Sequence, residues 1–212
     1  MESSFLCCGE QVRSLRTPHY MQITENALRI IDFPALMWYN LKKREGGREM
    51  EIRFVTEKDD LREISGIYEK SWKKTYKGML PSGYLKRIPD GNWADRINRF
   101  GSRSMVVVSG DEYIGTISFG ASRISQYEGL GEVFSLYVLP QYTGKGIGKL
   151  LMDRAVAELK ALGYSRIILF ALDRNLVARR FYERYGYTAS GDLMKKKFGH
   201  KTVTQVMYFL DI

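Results

Sequence analysis

Residues 131–161 read GEVFSLYVLPQYTGKGIGKLLMDRAVAELKA. Residues 132–138 within them are rich in β-branched and aromatic side chains, a strand pattern. Pro140 closes that ladder because it has no backbone donor. Gly144, Gly146 and Gly148 follow at every second position; they let the chain turn tightly and put nothing at Cβ to keep a ligand away. Leu150, Leu151, Ala155, Val156, Leu159 and Leu162 then recur at helical spacing. Strand, glycine loop and helix start succeed one another. The unpaired amides of that start face the loop, where the helix dipole favours negative charge. Lys145 and Lys149 reinforce the preference or are simply solvated. The stretch reads as an anion cradle for phosphates.

Two familiar phosphate loops fail on spacing. A P-loop needs G-x-x-x-x-G-K followed by Ser or Thr, but Gly144 to Gly148 is one residue short and Leu150 stands where the hydroxyl should be. A dinucleotide fingerprint needs its last glycine one place further on, where Lys149 sits.

At 212 residues the chain is long enough for one sizeable core and short for two. Its 44% hydrophobic and 13% aromatic content is globular. No apolar run approaches the ~20 residues that span a bilayer, which argues against a membrane partner. The only cysteines, Cys7 and Cys8, are adjacent; neighbours rarely bridge each other, and a reduced, cytoplasmic protein is the economical reading. The formal charge of +9 suits an acidic ligand and raises nucleic acid as a rival. The basic residues are scattered apart from Lys195, Lys196 and Lys197, without a recognition-helix or zinc-knuckle signature, so no nucleic-acid partner is expected.

Residues 1–49 lack sustained periodicity and end in a polar run, residues 42–49. They read as an N-terminal extension, disordered or translated from a start codon set too far upstream. The compact domain is expected over residues 50–212. There, strands are expected at 51–55, 104–108, 113–119, 132–138, 166–171, 187–193 and 202–210. A helix is signalled from Thr56 by a capping-box pattern, a second helical piece lies around Tyr84 and from 93 to 100, and a third and fourth cover 150–162 and 175–185. Gly110 and Asp111 mark a hairpin turn. The order is β-α-α-β-β-β-α-β-α-β-β, an α/β (α+β) chain with a mixed sheet of about seven strands and about four helices.

Residues 142–148, YTGKGIG, resemble the acetyl-coenzyme A loop of the GNAT superfamily of N-acetyltransferases, written Arg/Gln-x-x-Gly-x-Gly/Ala. Gly146 and Gly148 fall on the motif glycines, and Thr143 departs from its Arg or Gln. Residues 175–187, NLVARRFYERYGY, are similar to the family's second segment, Asn-x-x-Ala-x-x-Phe-Tyr-x-x-x-Gly-Phe. The element order is also that of the GNAT fold. The resemblance spans roughly residues 50–212.

It implies direct transfer of acetyl from acetyl-CoA to a primary amine of a small molecule or peptide, with no metal. Thr143, Gly144, Lys145, Gly146, Ile147, Gly148 and Lys149 would hold the diphosphate. Leu136, Tyr137 and Val138 would pair with the pantetheine arm in a splay between two parallel strands. Asn175 would bond the same arm or cap its helix. Glu132 stands where several relatives carry a glutamate base, Glu128 being the backup and a water chain the alternative. Tyr182 matches the tyrosine whose hydroxyl faces the coenzyme sulfur and would be the general acid, the other reading being a core aromatic. Trp72, Tyr76 and Leu80, with Tyr127, would flank the acceptor, although Trp72 also suits the core. Family precedent makes a homodimer reasonable. The alternative function is an acyl-CoA-binding regulator without transferase activity.

Overall fold

The computed structural model describes residues 41–45, 48–97 and 102–212. Most of the N-terminal extension, with Cys7 and Cys8, and residues 98–100 of the second helical piece lie outside them. One sheet holds β1 (Leu41–Glu45), β2 (Arg48–Phe54), β3 (Arg103–Ser109), β4 (Glu112–Ala121), β5 (Gly131–Val138), β6 (Arg166–Leu172), β7 (Thr188–Phe198) and β8 (Lys201–Asp211). Their spatial order is β1-β2-β3-β4-β5-β6-β8-β7. Every pair is antiparallel except β5 with β6. The helices are α1 (Leu61–Thr75), α2 (Ser82–Lys86), α3 (Ile147–Ala161) and α4 (Leu176–Tyr185). From β2 onward the element order is the one the hydrophobic periodicities predict. β1 is additional: it forms on the polar run before Met50 and pairs with β2, Leu41 opposite Ile52.

Each face of the sheet has its own core. On one, Leu151, Met152, Ala155 and Leu159 of α3 pack on Ile52, Met105, Val107, Ile117, Val133, Ile167 and Leu169. On the other, Ile64, Tyr68 and Trp72 of α1 pack on Val55, Val106, Leu172 and Phe198. Helices on both sides explain why β4 is buried without a break from Ile114 to Gly120. Side chains of this size gain ~1.5–3 kcal/mol each on full burial, which makes the two cores the main source of stability.

α1 starts four residues later than the Thr56 capping box suggests. Asp60 is the actual N-cap, accepting from the amides of Arg62 and Glu63. Thr56 is engaged elsewhere: its amide and hydroxyl donate to Asp59, at 2.7 and 3.0 Å. Asp59 also receives the Arg53 fork at 2.6 and 2.8 Å and the Tyr113 hydroxyl at 2.7 Å. Arg53 and these donors hold the Asp59 carboxyl well below the usual range. A tertiary ion pair has overridden a local signal. Beyond Trp93 only a single 3-10 turn, Ala94–Arg96, is present among the described residues of the expected helical piece. β7 runs five residues past its expected end, to the Gly199–His200 turn that returns to β8, because the antiparallel pairing continues to Phe198 opposite Lys201.

Candidate active site

The site grows out of one irregularity in the sheet. Ser118 on β4 faces Ser135 on β5, whereas Phe119 faces Val133, so Phe134 is an extra, bulged residue. A bulge bends its strand. Here the parallel ladder between β5 and β6 ends after two pairs, Gly131 with Ile167 and Glu132 with Ile168. β6 remains paired to β8 along its whole length on its other edge. The edge of β5 beyond Glu132 is left open toward β6, which suits an extended polar chain laid alongside it. Leu136 and Val138 turn into the α3-side core and Tyr137 into the α1-side core.

β5 leads into the glycine loop. Gly144 and Gly146 have φ of +82° and +80°, the left-handed region that other residues enter only with strain. Gly146 is the N-cap of α3, and the first ladder bond is Leu150 N–H to Gly146 O at 3.0 Å. The amides of Ile147, Gly148 and Lys149 therefore have no partner among the described residues. Thr143 turns its hydroxyl to Pro140 O at 2.7 Å. The lysines contribute less than the sequence suggests. Lys149 is paired with Asp153 at 2.8 Å, and Lys145 lies over the Tyr142 ring at 5.0 Å. What the loop offers an anion is backbone amides and a helix end.

Glu132 sits where the β5–β6 ladder ends and is 2% exposed. Its Oε2 accepts from the Ser122 hydroxyl at 3.1 Å and the Arg123 amide at 3.2 Å, while Oε1 has no partner among the described residues. Burial pushes its carboxyl above the ordinary glutamate range, against the opposing pull of Arg123, Ser122 and Lys196. Glu128, the backup base, is exposed at the end of the Ser125–Tyr127 turn.

The Tyr182 ring on α4 packs among Phe181, Tyr187 and Tyr208. Its hydroxyl has no hydrogen-bond partner among the described residues. Burial, with a smaller contribution from Tyr76, raises its pKa well above the usual phenol value, so it stays protonated. Asn175 caps α4, Oδ1 accepting from the Ala178 amide at 3.3 Å.

The residues expected near the acceptor differ in what they offer. Trp72 is 6% exposed, its indole N–H donates to the Tyr137 hydroxyl at 2.8 Å, and its ring meets Tyr76, Trp93 and Phe198. It is a pillar of the α1-side core. Leu80 is buried in the same core. Tyr76 follows α1 with its ring against Trp72. Tyr127 stands across from Phe170 of β6, ring centres 6.1 Å apart, and donates to Asp192 at 3.3 Å. Ser122, Arg123, Phe134 and Lys196 escaped sequence reasoning. Ser122 and Arg123 come to Glu132 through the β4–β5 pairing, Gly120 opposite Glu132, Phe134 touches Arg123, and Lys196 interacts through space from β7.

Comparison with known proteins places the chain among enzymes. Residues 65–187 match the family model described as the acetyltransferase (GNAT) family. An uncharacterized N-acetyltransferase of Archaeoglobus fulgidus is 30% identical over 153 residues, 71% of this chain and 97% of that one. A spermidine N(1)-acetyltransferase of Thermoplasma acidophilum is 25% identical, over 66% of this chain and 92% of its own. Among solved structures, the PaiA N-acetyltransferase of Thermoplasma acidophilum, crystallised with coenzyme A, superposes with a TM-score of 0.63 at 22% identity, covering 77% and 99% of the two chains.

Proposed function

The chain belongs to the acetyltransferase (GNAT) family of enzymes, and from that premise we propose that it transfers acetyl from acetyl-CoA directly to the primary amine of a small molecule or peptide. One observation supports this most: unpartnered amides at the mouth of α3, an open strand edge on β5 and a buried carboxylate at the end of that edge occur together. The diphosphate of the coenzyme suits the amides of Ile147, Gly148 and Lys149. Its pantetheine amides suit the edge of β5 at Leu136 to Val138, beyond the end of the ladder to β6, where the Val138 carbonyl accepts from Ser71 at 3.1 Å.

The chemistry has two proton problems. An alkylammonium has a pKa of ~10.4, so only about one molecule in 10³ is a nucleophile at pH 7, a deficit of ~4–5 kcal/mol. Glu132, with one oxygen anchored and the other free, takes that proton directly or through water; its raised pKa makes it the stronger base. The amine nitrogen bonds to the thioester carbonyl carbon, the C–S bond breaks with the sulfur leaving as thiolate, and the proton the nitrogen sheds on becoming an amide passes through water to that sulfur. Tyr182 answers that charge: a phenol that stays protonated donates a hydrogen bond to the sulfur as it departs. Asn175 fixes the start of α4 and thereby the height at which Tyr182 stands.

Residues 50–212 would form the catalytic unit, with β1 extending its sheet. Among the described residues no helix is long and apolar enough to cross a membrane; a cytoplasmic site, where acetyl-CoA is made available, fits the reading. The test is a thiol-release assay with acetyl-CoA across a panel of amines, alongside calorimetric titration of coenzyme A. Coenzyme binding with turnover of at least one amine is expected. Binding without turnover of any amine would refute the transferase reading.

A further inference from the structure

Two cations, Arg123 and Lys196, interact through space with Glu132, and neither forms an ion pair with another carboxylate among the described residues. The polar connector leaving β4 is pinned at its first residues, because Ser122 N–H donates to Leu130 O at 2.8 Å while its hydroxyl and the Arg123 amide hold Glu132. The Arg123 side chain then lies with its guanidinium carbon 3.7 Å from the centre of the Phe134 ring, the bulged residue of β5. A guanidinium over a ring face is held there by cation–π attraction, while the N–H donors around its rim stay available. None of those donors has an acceptor among the described residues, and Arg123 forms no ion pair there.

The second cation is Lys196 of β7. Strand alternation puts it on the same face as Phe198, which belongs to the α1-side core, and it acts through space on Glu132. Its ammonium lies 5.9 Å from the Phe198 ring centre and is likewise unpaired among the described residues. Nearby in the sequence and the sheet, Asp192 accepts from Tyr127, and Glu128 is exposed. Asp192 is thus already engaged, whereas the guanidinium rim is held in place and empty-handed.

We propose that Arg123, supported by Lys196, recognises an anionic group on the acceptor, and that the acceptor is an amine with a carboxylate a few bonds from its nitrogen, an amino acid in type, rather than a polyamine. The short separation follows from the pinning: the backbone of Arg123 touches the carboxylate that takes the amine proton, so anion and nucleophile are bound within one side chain's reach of each other. The fork of an arginine matches a carboxylate with two parallel hydrogen bonds. This assignment rests on Glu132 being the base.

The experiment compares amino acids with the amines left by removing their carboxylates, phenylalanine with phenethylamine and lysine with cadaverine, and adds spermidine. Because members of a pair differ in basicity, the deciding quantity is how their kcat/KM ratio changes on mutation. Losing a charge-assisted pair corresponds to about 10- to 100-fold, so Arg123→Gln should lower the acid-to-amine ratio by that factor, mainly through KM. Lys196→Met should lower it less, and Arg123→Lys should restore part of it. An unchanged ratio in Arg123→Gln, or spermidine as the preferred acceptor of the wild type, overturns the proposal. Calorimetry with coenzyme A on the same proteins separates the outcomes. Coenzyme bound with the ratio unmoved sinks only the anion site, whereas a wild type that binds no coenzyme sinks the transferase reading as well.

Discussion

Replacing Gly146 by alanine tests the loop, and the structure gives the size of the effect. Gly146 has φ +80° and ψ −6°, and a Cβ built there meets no heavy atom within 4 Å. Steric clash is therefore absent, and the whole cost is the left-handed backbone, about 1–2 kcal/mol for a residue with a side chain. That cost has two places to go. If the loop keeps its shape, the protein loses stability, and a domain of this size loses about 2–4 °C in Tm per kcal/mol. If the loop relaxes, the amides of Ile147 to Lys149 must be realigned on binding, and coenzyme affinity falls about 5- to 30-fold. Thermal unfolding and calorimetric titration on the same variant should show losses that together reach ~1–2 kcal/mol. Gly148→Ala is the control. It is the second residue of α3, and its Cβ would lie 3.7 Å from the Phe181 ring, an ordinary contact. Alanine favours the helix, so neither Tm nor affinity should fall. A Gly146→Ala protein with wild-type Tm and wild-type affinity would refute the idea that this bend holds the diphosphate.

Three further outcomes are expected. Tyr182→Phe removes a hydroxyl with no protein partner, so Tm should hold while kcat drops at least ~10²-fold; an unchanged kcat removes Tyr182 from the mechanism. For Glu132, kcat/KM should climb with pH through a carboxyl pKa above the ordinary glutamate value, and Glu132→Gln should lose that limb. Stability runs the opposite way: the folded state binds this proton more tightly, so the contribution is complete below the unfolded pKa and fades as pH rises through the folded one. A pH–Tm profile identical in wild type and Glu132→Gln contradicts the assignment. Asp59, lowered by Arg53, has the reverse sign, its stability present above the ordinary carboxylate pKa and lost as pH falls through the depressed one. Asp59→Asn should cost about 2–3 kcal/mol in denaturant titrations without changing coenzyme affinity.

What could be read in advance was whatever is encoded within a few residues. The glycine loop and the helix after it announce themselves because backbone geometry there demands glycine and then apolar spacing, and α4 carries its own cap at Asn175 and stop at Gly186. The start of α1 was misplaced because a partner from β2, Arg53, captured Asp59 and tied Thr56 into the same knot. β1 was invisible because a short charged strand at a sheet edge needs no hydrophobic pattern. In the site, Tyr182 stands out by its place in the second motif and Glu132 by its place at the start of the strand that leads to the glycine loop. Arg123 and Lys196 did not, since the first comes to Glu132 through the β4–β5 pairing and the second from a hairpin more than sixty residues away.

The two-rung ladder between β5 and β6 also makes the sheet a pair of blades sewn at one corner. Five strands lie on one side of the seam and three on the other. A ligand laid along β5 would act as the missing thread, so β5 amides that exchange quickly with deuterium in the free protein should slow when coenzyme A is added. The stitching would then come from the substrate itself, and the empty enzyme would be looser along this line than anywhere else in its sheet.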